Sequence, residues 1–153
     1  MDTYLPLKSN SMAPDEKITG ILHTHELKKT PARVKVLYTL MGSKYAVSYT
    51  RLEEVTRDVA DRITLYRILK HFEQKGLIHK TMDHEGQAKY AMCHDECSTD
   101  HHRDHHIHFN CTECHQTLCL EDTDIPKINL PRGYKASEYA FTINGLCRLC
   151  SKG

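Results

Sequence analysis

The chain has no tryptophan, and only 7% of its 153 residues are aromatic and 39% apolar. Neither half of a chain so composed can bury a large core alone, so a metal staple and a partner subunit are the expected sources of extra stability. No apolar run approaches the roughly 18 residues of a membrane span. The first residues, with Asp2, Pro6 and Pro14, supply neither a basic nor an apolar leader region. A cytoplasmic protein with no membrane partner is expected. An H-E-x-x-H sequence is also missing, and with it the paired histidines and general base of one large class of zinc hydrolases. Neither sign of charge predominates, the formal net charge being +1. That balance hides a division, with 15 Lys and Arg against 11 Asp and Glu up to Met92, and 6 against 9 from Cys93 onward. The basic part suits a polyanion and the acidic, histidine-rich part a cation.

Cysteine is plentiful for this size. Seven are present, an odd number that argues against a complete disulfide framework. Four fall in two pairs, Cys111-x-x-Cys114 and Cys147-x-x-Cys150. A two-residue spacer lets both thiolates of a pair face one ion at about 2.3 Å, so the set predicts a closed, structural four-cysteine zinc site. The bland alternative is four unrelated reduced thiols.

Residues 1–17 have no clear period and are expected to form a flexible arm, with a helix beginning near Ile18. Thr30-Pro31 spells an N-cap and first helical residue, and Val34, Leu37, Tyr38 and Met41 follow at helical spacing up to Gly42. Thr50-x-x-Glu53 reads as a capping box opening a second helix with Leu52, Val55 and Val59. A third runs from near Asp61 to Lys75-Gly76 over a stripe of Leu65, Ile68, Leu69 and Phe72. Two strand-like runs, 77–82 and 87–92, flank the turn residues Asp83-His84-Glu85-Gly86. Helix, helix, helix and hairpin is the order of a winged helix-turn-helix, whose third helix meets base edges in the major groove. The outward face of that helix offers Arg62, Thr64, Tyr66, Arg67 and Lys70 as DNA-binding candidates. Composition alone reads that face equally well as a solvated helix side; the hairpin tips the balance toward DNA.

From Cys93 to Asp100 the chain is polar and is expected to be a hinge. The stretch 105–111 then reads as entry into a strand, where alternation puts His106 and His108 on one face and Ile107 and Phe109 on the other. Two imidazoles at i and i+2 can chelate one ion, unless the histidines belong to a solvated loop. Tyr139, Phe141 and Ile143 alternate as a half-buried strand, with Asn144-Gly145 turning the chain into the second cysteine pair.

Thr30-x-x-Arg33, Ile63-Thr64-Leu65-Tyr66-Arg67, Gly76-Leu77-Ile78, the His105-His106-x-His108-x-x-Cys111-x-x-Cys114 string and the closing Cys147-x-x-Cys150 together resemble the ferric uptake regulator family of metal-dependent repressors. The resemblance spans about residues 25–150. It implies an α+β chain: a winged helix-turn-helix domain, then a small α/β dimerisation domain carrying the four-cysteine zinc. It also implies a homodimer that binds palindromic double-stranded DNA operators when loaded with metal. The expected organisation is an arm at 1–17, a DNA-binding domain at 18–92, a hinge at 93–100 and a metal-binding dimerisation domain at 101–153.

Gly76-Leu77-Ile78-His79-Lys80 and Lys89-Tyr90-Ala91-Met92-Cys93 are most similar to the zinc-uptake branch of that family. Carried over by position, the regulatory zinc site is His79, Cys93, His106 and His108, with iron or manganese as the alternative ion. A thiolate among imidazoles favours zinc over ferrous iron. Read without the resemblance, Cys93 is a small buried residue and His79 a surface strand residue. Cys119 stands where many relatives carry a liganding glutamate, and either replaces it or competes for the ion. His105 is a further candidate ligand, although Tyr139 occupies the place of the histidine that would complete its site. An ion shared between hinge or wing and the second domain would fix the separation of two recognition helices. The rival readings are an iron or peroxide sensor of the same family, a zinc hydrolase, and a zinc-stabilised interaction module.

Overall fold

The computed structural model describes residues 13–93, 106–120, 122–137 and 139–152. Helix α1, Pro14–Thr24, starts earlier than the Ile18 expected. Proline fits the first helical position because its missing N–H would have no partner there, and Asp15 and Glu16 complement the positive end of the helix. Ile18 and Leu22 then turn inward.

Helix α2, Pro31–Met41, is capped as the sequence suggests, the Thr30 hydroxyl accepting from Arg33 N–H. Its inward face overlaps the expected one, since Leu37 is buried and Val34 and Met41 pack half-buried against the core. Ala32, Val36, Leu37 and Leu40 face the core, whereas Tyr38 is 56% exposed. Both sets have helical spacing, and packing against α1 and α3 decides how far the buried stripe extends.

Strand β1, Val47–Ser48, leads directly into α3, Tyr49–Thr56. The cap is Ser48, whose hydroxyl accepts from Arg51 N–H at 3.2 Å, rather than Thr50, which is the second helical residue and is exposed. Helix α4, Arg62–Gln74, is closed by Asp61 at one end and by Gly76 at φ 70° just beyond the other.

Strands β2, Ile78–Met82, and β3, Ala88–Met92, form the expected hairpin, and β1 adds to β3 to give the order β1-β3-β2. Leu65, Leu69 and Phe72 of α4, Leu52 of α3, Leu37 of α2 and Ile78 of β2 meet in one cluster, all at most 1% exposed. Among the described residues this is the hydrophobic core cluster, and its members run from Ile18 to Tyr90.

Residues 94–100, expected as a hinge, lie outside the described residues; beyond them β4, Ile107–Cys111, pairs antiparallel with β5, Thr117–Leu120, and parallel with β6, Thr142–Gly145, in the order β5-β4-β6. Helical backbone among the described residues here is confined to the 3-10 turn Cys150–Lys152. The last strand begins at Thr142, so Tyr139 and Phe141 precede it, and Asn144-Gly145 end the strand rather than forming a turn. Ile107, Asn110, Cys111 and Thr117 are buried, while the long crossover from Asp122 to Ala140 is almost entirely exposed.

Candidate metal centres and DNA-reading helix

The α4 helix is anchored at the end that would face a nucleic acid. Asp61 accepts from Thr64 N–H at 2.7 Å, and bonds from Thr64, first from its side chain and then its backbone, hold the Asp61 carboxyl below the usual range. With Leu65, Ile68, Leu69 and Phe72 turned inward, Thr64, Tyr66, Arg67 and Lys70 remain exposed on the outer face. Lys70 Nζ lies 5.9 Å from the Tyr66 ring centroid. Arg62 is engaged elsewhere, its guanidinium bonded to both carboxylate oxygens of Glu53 at 2.5 and 3.3 Å. Ile63 is 63% exposed on this helix and was not singled out by periodicity.

The two cysteine pairs are brought together by the parallel β4–β6 ladder. Cys111 pairs in register with Gly145, and Thr112 N–H donates to Gly145 O at 2.8 Å, so the second pair emerges beside the first. The sulfurs of Cys111, Cys114, Cys147 and Cys150 lie within 4.8 Å of one another. Backbone N–H groups of Cys114 and then Cys147 draw the Cys111 thiol down to about 6. Cys150 is pushed up to about 12, chiefly by the neighbouring Cys147 thiol. Clustered sulfurs with unequal N–H support cannot all ionise unaided, and a dication at their centre removes that conflict. The donor set fits a structural zinc.

A second cluster straddles the two domains. His106, just before β4, lies beside His108 of that strand, and the β4–β5 register places Cys119 directly opposite His108. His79 on β2 faces them from the first domain and is 3% exposed. The His79 ring centroid is 4.9 Å from that of His106 and 5.2 Å from that of His108, and those two are 4.6 Å apart. Donor atoms of His79, His106, His108 and Cys119 all fall within 4.8 Å of one another. Three imidazoles and a thiol at such spacing are a complete tetrahedral donor set for a borderline-soft divalent ion.

The interface around this cluster is built of polar ties. Ala46 N–H donates to Thr117 O at 2.9 Å, and the Asn110 side-chain amide donates to Met82 O at 3.2 Å. The Lys89 ammonium donates to His115 O while lying 3.6 Å from Asp83. The Asp83 carboxylate is buried, which opposes its charge, but N–H bonds from Gln87 and Glu85 together with Lys89 hold it below the usual range.

The sequence model of the Ferric uptake regulator family matches residues 24–143. The chain belongs to the ferric uptake regulator family. It is 28% identical over 137 residues to the ferric uptake regulation protein of Bordetella parapertussis, which covers 83% of this chain and 91% of that one. In fold it is similar to a zinc uptake regulator complexed with zinc and DNA, with a TM-score of 0.64 and 20% identity over 93% of this chain and 97% of that one. It is also similar to the ferric uptake regulator of Francisella tularensis with iron, with a TM-score of 0.54 and 20% identity over 82% and 95%. Such likenesses show the two-domain fold, and zinc and iron proteins share it. This family member is a metal-responsive transcriptional regulator and not an enzyme, so the hydrolase reading falls away. No helix among the described residues is long and apolar enough to cross a membrane.

Of the four residues expected to form the regulatory site, His79, His106 and His108 come together. Cys93, expected within the regulatory set, lies against the other edge of the His79 ring, with its Sγ 3.7 Å from Nδ1, while Cys119 Sγ is 3.4 Å from Nε2. The set whose donor atoms all lie within 4.8 Å of one another is His79, His106, His108 and Cys119, and Cys93 adjoins it through His79. The β5 strand that carries Cys119 was not recognised in the sequence, because Thr117–Leu120 is only four residues long and lacks a polar-apolar alternation. His105 lies outside the described residues.

Proposed function

We propose that this regulator is a zinc-responsive repressor that binds palindromic operators as a cytoplasmic homodimer. The observation that carries the reading is the cross-domain cluster of three imidazoles and one thiol. In it His79, His106, His108 and Cys119 are the zinc ligands, and Cys111, Cys114, Cys147 and Cys150 hold the structural zinc. Sulfur in the regulatory set favours zinc over ferrous iron, which sits lower in the Irving–Williams order and prefers nitrogen and oxygen. A bound zinc supplies one positive centre shared by both domains. His79 holds β2 against the second sheet, while His106, His108 and Cys119 present one face of the β4–β5 pair to it. Cys93 accepts from or donates to His79 Nδ1, which fixes the ring orientation and directs Nε2 toward Cys119.

The reader of DNA is α4, through Thr64, Tyr66, Arg67 and Lys70. Arg62 contributes to base or phosphate contact only if its Glu53 pairing is exchanged for the nucleic acid. Self-association is supported by apolar side chains left exposed in the second domain, including Ile128, Tyr134, Ile143 and Leu149 at 48, 71, 43 and 75%. β6 is also an edge strand.

Mobility-shift titration with operator DNA tests the reading. Chelator-treated protein is expected to release DNA and to regain it with zinc at far lower free concentration than with ferrous iron. To move a population from 1:99 to 99:1, the closed form must bind zinc about 10⁴-fold more tightly than the open form. Restoration by iron but not zinc, or binding indifferent to chelator, would sink the proposal. The first of these outcomes would favour the iron-sensing alternative.

A further inference from the structure

We propose a third metal site, formed by His84 and Glu85 of the wing turn with His115 beside the first cysteine pair, that takes a borderline divalent cation such as zinc, nickel or copper(II). One donor atom from each of the three residues lies within 4.8 Å of the others. Ligand atoms about 2.0–2.1 Å from a tetrahedral ion keep roughly 3.3 Å between them, so modest side-chain movement completes the set. Two imidazoles and a carboxylate leave at least one coordination position to water, which makes this site weaker than the two four-ligand sites.

Independent features of the backbone and rings point the same way. Asp83 Oδ1 accepts from Glu85 N–H at 2.9 Å and Gln87 N–H at 2.8 Å, and Gly86 at φ 78° closes the turn, so His84 and Glu85 are held rather than left to wander. His115 is in the left-handed region at φ 59°, which glycine or asparagine occupies more cheaply. Strain at a histidine directly beside a metal knuckle is a motive to ask what its ring does. That ring stacks on His84, with centroids 5.1 Å apart and planes 17° from parallel. His84 Nδ1 is shielded from solvent and has no hydrogen-bond partner among the described residues, a condition that a buried polar atom seldom keeps. Lys89 is no obstacle, because Asp83 and His115 O already engage its ammonium.

The site joins wing to second domain at a place separate from the His79 cluster. It fills only at higher metal, and adds a second tie when the first is already made. Its donors are nitrogen and oxygen alone, unlike the other two sites, and this gives it a distinct signature. Protein holding two zinc equivalents is titrated with cobalt(II), which does not displace zinc from thiolates at moderate concentration. One further equivalent is expected, with weak visible bands and no sulfur-to-cobalt charge-transfer band. His84→Ala and His115→Asn should each abolish it while both retain two zinc equivalents; asparagine tolerates the left-handed backbone, so folding is preserved. An extra equivalent that persists in both variants, as it would if His101, His102 and His105 carried it, overturns the proposal. Failure of the wild-type protein to take up a third equivalent overturns it equally. The readout is metal count and spectrum, so it stands or falls apart from which metal controls DNA binding.

Discussion

Replacing Cys147 by serine should release the structural ion and unfold the second domain while leaving α1 to α4 helical. The described residues from Asp122 to Ala140, which lead from β5 to β6, are exposed apart from the half-buried Ile125, and the ladder that seats β6 on β4 has only four residue pairs. Closing a crossover of that length costs entropy, and four ladder pairs without a core do not repay it. Structural zinc in small domains supplies an apparent binding energy of about 10–16 kcal/mol, as large as the stability of a whole domain. The first domain has its own core and should keep it. Zinc analysis, circular dichroism and amide exchange of β4 to β6 on the variant check this. Protection of those strands in a protein that has lost the metal would refute it.

Cys119→Ala should raise the zinc concentration needed for operator binding by well over 100-fold, and Cys93→Ala by about 10–100-fold. The larger figure follows from removal of one of four donors. The smaller is typical of losing a partner that orients a ligand, which is where the 3.7 Å contact to His79 Nδ1 puts Cys93. Cys119→Glu separates the two roles further. It exchanges the thiolate for a carboxylate, and should move the metal preference from zinc toward ferrous iron or manganese. Zinc-dependent fluorescence anisotropy on labelled operator, run for all three variants, measures the midpoints. A Cys93→Ala effect exceeding that of Cys119→Ala would assign the primary thiolate to Cys93 instead.

The features legible in the sequence were those set by local chemistry. Thr30-Pro31 and Asp61 announced α2 and α4 because a cap satisfies N–H groups only three residues away. Asp83 to Gly86 announced the wing turn, and the spacing of the cysteines announced their cluster. What escaped depended on partners distant in the chain. On α2 the expected face holds for Val34, Leu37 and Met41 but not for Tyr38, because only the helix's neighbours decide how far the buried stripe extends to either side. Ser48 rather than Thr50 caps α3, since β1 fixes where the extended backbone ends. Cys119 gains its meaning from the register that sets it opposite His108. His115 meets His84 across 31 positions of chain, so no window of sequence could have paired them.

The bond from Ala46 N–H to Thr117 O has a practical corollary. It joins a loop of one lobe to a strand of the other and belongs to neither sheet. Solvent deuterium can reach that amide only when the lobes separate or one of them unravels. Its exchange rate is therefore a built-in counter of opening events, readable at one backbone position without any label.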